Sequence, residues 1–230
     1  MTPLLLLPGM MCDGRLFGPQ IAAFSAGRTV QVSDISGAET MAEIAAGVLR
    51  DAPPVFALAG LSMGGIVAME VVRQAPERVA RLALLDTNPL AEAPEVAARR
   101  GPQMQKAASG GLPDVMRDEM KPNYLADGPR NGEILDLCMA MALDLGPEAF
   151  ARESVALRDR ADQTETLRGY TGPTLILCGR EDRACPIHRH TLMHELMPHG
   201  ELVIVEGAGH LPVLEQPEVT NGALRRWLTA

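Results

Sequence analysis

The chain has 230 residues, 47 % of them apolar, enough for one domain with a substantial core and too apolar for disorder. Its formal net charge is -8, with no block of like charges, which argues against nucleic acid or an anionic membrane as a partner. An anionic small molecule is not excluded, because a local arginine can reverse the field inside a pocket.

The first apolar run stops after four leucines and has no basic residue before it, so it is too short for a secretory leader or a membrane span. It predicts a buried strand over Leu4–Pro8 and a cytoplasmic protein. A helix over Gly14–Ser25 and a strand over Arg28–Ile35 follow. Thr40–Arg50 reads as a helix with Thr40 as its cap and Glu43 three residues on, a capping box. Pro54–Leu61 is the next strand, Met63–Gln74 a helix, and Val79–Asp86 a strand.

There the alternation breaks. Thr87 to about Tyr170 holds no convincing strand, only short helical stretches punctuated by Pro94, Pro102, Pro113, Pro122, Pro129 and Pro147. It is rich in methionine (Met104, Met116, Met120, Met139 and Met141), which adapts to irregular apolar shapes. Most of these read as core of small helices, with one or two available to line an acyl pocket. Alternation resumes with a strand over Thr174–Cys178, a helix over Ile187–Met197, a strand over Glu201–Glu206 and a helix over Gln216–Leu228. Strands and helices in this order predict an α/β fold: a mostly parallel sheet of about six strands, covered by helices on both faces. The long irregular segment predicts a helical cap, so that 1–86 and 172–230 form the core and 87–171 the cap.

Gly60-Leu61-Ser62-Met63-Gly64 reads G-x-S-x-G between a strand and a helix, a context that lifts a serine hydroxyl above the edge of an α/β sheet. A serine hydroxyl needs a base and a group to orient that base. His210, after the last strand in Gly207-Ala208-Gly209-His210, is the candidate base, and Asp182, just past the strand ending near Cys178, is the candidate orienting carboxylate. Asp86 also ends a strand and is the second candidate for that role, its plain alternative being a cap for the chain entering Thr87-Asn88-Pro89. Two backbone N–H groups would receive an oxyanion, those of Met10 and Met63. The other four histidines, His188, His190, His194 and His199, lie on or near one helix without the order a zinc site needs, and read as a solvated face. The four cysteines, Cys12, Cys138, Cys178 and Cys185, lack C-x-x-C spacing and read as free thiols. No cofactor and no metal is called for. Arg15, Arg180 and Arg183 flank the loops near the site as candidates to pair a substrate carboxylate, or as plain surface arginines.

Over essentially its whole length the chain resembles the α/β-hydrolase superfamily, on Gly60-Leu61-Ser62-Met63-Gly64-Gly65, on Gly179-Arg180-Glu181-Asp182 with Pro186, and on Gly207-Ala208-Gly209-His210. It looks most like small capped esterases, enol-lactonases and carbon–carbon bond hydrolases. Two departures stand out: Pro8-Gly9 replaces the usual His-Gly, and the chain begins at that strand without the usual first hairpin. The resemblance implies a serine hydrolase of a small carboxylic ester or related acyl substrate, acting through an acyl-enzyme on Ser62. The alternatives are a carbon–carbon bond or enol-lactone hydrolase with the same triad, and a ligand sensor that does not turn over. The oligomeric state stays open.

Overall fold

The computed structural model describes residues 1–229. Six strands, β1 (Leu4–Leu7), β2 (Val30–Val32), β3 (Phe56–Leu61), β4 (Val79–Leu85), β5 (Thr174–Gly179) and β6 (Glu201–Val205), form one sheet in the order β2-β1-β3-β4-β5-β6. Every pairing is parallel. A parallel sheet buried on both faces needs apolar residues at successive positions, which the Leu4–Leu7 run supplies. Leu5 and Leu7 pack into one core, Leu4 and Leu6 into the other. On β3, Phe56 and Leu58 alternate with Ala57, Ala59 and Leu61 in the same way.

Helices α2 (Met41–Asp51) and α3 (Met63–Gln74) cover the first face, and α1 (Gly18–Phe24) with α10 (Pro217–Trp227) the second. At the start of α2, Thr40 Oγ1 accepts from Glu43 N–H at 3.2 Å. The Glu43 carboxylate returns to the Thr40 hydroxyl at 2.8 Å rather than to its backbone N–H, so half of the expected box forms. The strand expected over Arg28–Ile35 shrinks to three residues. It lies at the sheet edge and pairs only with β1, whose four residues limit what it can bond to.

Between β4 and β5 the described residues contain no strand. They form α4 (Pro94–Lys106), irregular helical turns around the short α5 (Leu112–Asp114), α6 (Asn131–Arg158) and α7 (Thr164–Gly169). Pro102 does not break α4 as its position suggested. The carbonyl it leaves without a donor belongs to Ala98, on the solvent side. Pro147 does mark a break: Gly146 adopts φ 81°, ψ 174°, dividing α6 into two segments, and the fixed φ of Pro147 restarts the helix. Met116 and Met141 are buried, and Met104, Met120 and Met139 pack half-buried against the two cores. α7 packs against α3 and against α8 (Ile187–Leu196), returning the chain to the sheet. The short α9 (Pro212–Glu215) precedes α10. No helix among the described residues is long and apolar enough to cross a membrane.

Candidate active site

Loops leaving the carboxyl ends of β1, β3, β4, β5 and β6 converge at one edge of the sheet, where open α/β sheets bind ligands. The strand order reverses between β1 and β3, which sets the Gly9-Met10 loop beside the turn at Ser62. That turn is sharp. Ser62 has φ 56°, a left-handed conformation costly for a residue with a Cβ. The flanking glycines permit it by close approach: a Cβ on Gly60 would lie 2.2 Å from the Gly64 carbonyl oxygen, and one on Gly64 would lie 2.1 Å from that of Leu7.

The fold brings Ser62, His210 and Asp182 together from three loops. His210 Nε2 lies 2.9 Å from Ser62 Oγ, and His210 Nδ1 lies 2.8 Å from Asp182 Oδ2. Asp182 Oδ1 accepts from the N–H groups of Ala184 and Cys185 at 2.8 and 2.9 Å. Burial opposes its ionisation, but the imidazole of His210 and the Cys185 N–H outweigh that and hold its carboxyl below the usual range. An ionised Asp182 accepts from Nδ1–H, which leaves Nε2 as an acceptor facing the serine hydroxyl.

Asp86 occupies neither of its two expected roles. It is fully buried with φ 43°, its Oδ1 accepts from Gly179 N–H at 2.9 Å, and its carboxyl lies near that of Asp182. Burial and then the charge of Asp182 push its pKa well above the usual carboxylate value. Its Oδ2 is buried without a hydrogen-bond partner. The next residue, Thr87, donates its hydroxyl to the Ser62 carbonyl at 2.7 Å and its N–H to His190 Nε2 at 3.1 Å. His190 is therefore part of the core beneath the site, not of a solvated face. Burial pushes it down to about 4, so it is neutral and able to accept.

Two further carboxyls were not legible in the sequence. Glu215, on α9, accepts from Gly209 N–H at 2.9 Å, Leu211 N–H at 2.9 Å and Ala126 N–H at 2.8 Å, gripping both sides of His210 and tying that loop to the segment between β4 and β5. Glu153, on α6, is fully buried and accepts from Met11 N–H at 2.8 Å. The Tyr124 carbonyl accepts from His210 N–H at 2.6 Å, and the Tyr124 ring lies 5.9 Å from the imidazole. A glutamate five residues after the histidine was the only sequence signal for any of these.

With Met11 N–H bonded to Glu153, Met10 is the neighbour whose N–H stays free. The N–H groups of Met10 and Met63 donate to no protein acceptor among the described residues, and both residues line a cavity of about 550 Å³. Ser62 and His210 line it, together with Val96, Met120, Tyr124 and Leu157 from the segment between β4 and β5. Asp182, Cys185 and His210 hold potential metal-ligand atoms within 4.8 Å of one another. The first and third are already bonded to each other, and burial pushes the Cys185 thiol well up, so it stays protonated and a poor ligand. All four cysteines are free thiols. Of the three arginines near the loops, Arg15 pairs with Asp13 and with Asp144 at 2.8 Å, Arg180 pairs with Glu206, and only Arg183 lines the cavity.

A six-stranded parallel sheet with a histidine-facing serine on its central turn defines a class. The family model described as "Alpha/beta hydrolase family" matches residues 5–223, and the chain belongs to that family. The chain is 26 % identical over 227 residues to a pimeloyl-[acyl-carrier protein] methyl ester esterase of Vibrio parahaemolyticus, covering 93 % of this chain and 89 % of that protein. Among solved structures, a malate-bound thermophilic esterase from Thermogutta terrifontis superposes with TM-score 0.90 at 29 % identity, covering 100 % of this chain and 90 % of that one. The enol-lactonase from Burkholderia xenovorans superposes with TM-score 0.87 at 21 % identity, covering 100 % and 92 %, a likeness of fold alone.

Proposed function

We propose that the chain is a serine hydrolase of small carboxylic esters. The observation that carries this reading is the chain of two hydrogen bonds, Asp182 Oδ2 to His210 Nδ1 to His210 Nε2 to Ser62 Oγ, at 2.8 and 2.9 Å. Similarity to esterases supports the same class. Ser62 attacks the ester carbonyl while Nε2 takes the hydroxyl proton. Asp182 keeps the imidazole in the tautomer with its proton on Nδ1 and stabilises the imidazolium that forms. The N–H groups of Met10 and Met63 receive the oxyanion, helped by the positive end of α3, which begins at Met63. His210 then protonates the leaving alcohol, and a water deprotonated by the same nitrogen releases the acid from the acyl-enzyme. The segment 87–171 acts as the cap, its apolar side chains forming the acyl wall of the cavity.

Hydrolysis of 4-nitrophenyl acetate and butyrate by the wild type and by Ser62→Ala tests this, with a fluorophosphonate label mapped by mass spectrometry. Turnover abolished in the variant, with label on Ser62, is the expected result. Undiminished turnover in Ser62→Ala, or label elsewhere, would end the proposal.

A further inference from the structure

Three arginine side chains among the described residues, Arg99, Arg183 and Arg189, make no hydrogen bond, ion pair or ring contact, and all three line the cavity that holds Ser62 and His210. They come from three separate elements: Arg99 from α4, Arg183 from the loop after β5 and Arg189 from α8. The chain's other arginines are engaged, by carboxylates (Arg117, Arg158, Arg226), by backbone carbonyls (Arg78, Arg130, Arg152) or by an aromatic ring (Arg225).

Shortage of acid does not explain this. The chain has 29 acidic side chains against 21 basic ones. Within the same cavity Glu92 is fully used, accepting from Arg100 at 2.8 Å and from Arg160 at 2.6 Å. Glu119 is engaged by Lys106 at 3.2 Å and Gln103 at 3.0 Å. The lining therefore carries two neutralised acids and three uncompensated guanidinium groups, a local field opposite in sign to that of the whole chain. Unpaired guanidinium groups around a concave site are pre-set for bidentate contact with anionic oxygens.

The geometry points to a substrate with an anionic group, a carboxylate or a phosphate, at the end remote from the scissile ester, held by Arg99, Arg183 and Arg189 while the ester lies against Ser62. This rests on the ester-hydrolase reading above and narrows its substrate class. The rim would lower KM for such esters and leave neutral esters of equal length without that contact.

The test compares 4-nitrophenyl hexanoate with the 4-nitrophenyl half-ester of adipic acid, in wild type and in Arg99→Gln, Arg183→Gln, Arg189→Gln and the triple variant. The ratio of kcat/KM for the half-ester to that for the neutral ester should fall about tenfold in the most affected single variant and further in the triple. In the wild type the ratio should also fall as salt is raised. Arg226→Gln, whose side chain pairs with Glu201 away from the cavity, serves as the charge control and should keep the wild-type ratio. Adipate and 6-phosphohexanoate as competitors separate the two anion sources, and tighter competition by one assigns the rim to it. A ratio unchanged in the triple variant, or no competition by either anion, overturns the inference. If neither ester is turned over, the hydrolase reading fails separately. Saturable adipate binding by calorimetry, lost in the triple variant, would then still support the rim, and its absence would reject it.

Discussion

The carboxyl of Glu153, on α6, accepts the N–H of Met11 at 2.8 Å, joining residues 142 positions apart. This bond holds the loop after β1 with Met11 at φ 56° and leaves the adjacent Met10 N–H unpaired toward the cavity. Burial raises Glu153 from 4.5 to about 8, against the Met11 N–H, which favours ionisation. The folded protein thus keeps a proton that the unfolded chain has lost between these two values. Stability from this group is complete below about pH 4.5 and is lost progressively as pH rises toward 8. Glu153→Gln keeps an acceptor for Met11 without a titrating proton. Urea unfolding at pH 6 and pH 8 should show a smaller loss for this variant than for wild type; identical losses would mean that Glu153 is already ionised in the folded protein at pH 6.

Asp86 gives a sharper contrast between two substitutions. Asparagine keeps the acceptor for Gly179 N–H and places an uncharged N–H₂ donor near Asp182, where burial and the Asp182 charge oppose an ionised carboxyl. Asp86→Asn should stay within a few-fold of wild-type turnover. Asp86→Ala removes both contacts and leaves a buried N–H unsatisfied, a cost of about 1–3 kcal/mol. Its turnover should drop roughly tenfold, with a shifted acid limb in the pH–rate profile. Equal activity of the two variants would show that the Asp86–Asp182 contact does not matter to the reaction.

Glu215 is expected to govern the position of His210. Glu215→Ala frees the N–H groups of Gly209, Leu211 and Ala126 together. Thermal unfolding should show a loss of about 2 kcal/mol or more. Amide exchange should quicken around 207–211 before it does in the strands. Exchange that remains as slow as in wild type would exclude this role.

Gly64→Ala tests the close packing beneath the serine turn. Its Cβ would meet backbone atoms of Leu7 and Pro8, which cannot swing aside as a side chain can. A loss of about 3 kcal/mol or more, or no soluble protein, is expected. Gly222→Ala, on α10 with nothing within 4 Å of an added Cβ, should instead be neutral or slightly stabilising.

Asp182→Asn should lower ester turnover by roughly 10⁴-fold, because the amide favours the tautomer with the proton facing Ser62. A drop of less than tenfold would argue that Asp182 only holds the loop.

Ser62, Asp182 and His210 were legible because each follows an apolar strand, and parallel strands deliver their exits to one edge whatever the loops between them do. The elbow glycines were legible because strand and helix backbones approach there too closely for a Cβ. Asp86 was not, since a strand-ending aspartate carries no mark of whether its neighbour will be a histidine, a helix end or another carboxyl. Pro102 misled for a related reason: a proline costs a helix only one hydrogen bond and some strain, and the exposed face of α4 tolerates that.

By itself the sequence determined the parallel sheet, through continuous apolar runs at strand length, and the residues at its carboxyl edge, through motif and chain order. Only the tertiary structure decided protonation and free charge. The upward shift of Asp86 and Glu153 comes from burial, and whether Arg183 is unpaired while Arg15 and Arg180 are not depends on which carboxylates the fold sets beside them. Those quantities fall off over a few ångströms, and such distances between residues far apart in the chain exist only once it has folded.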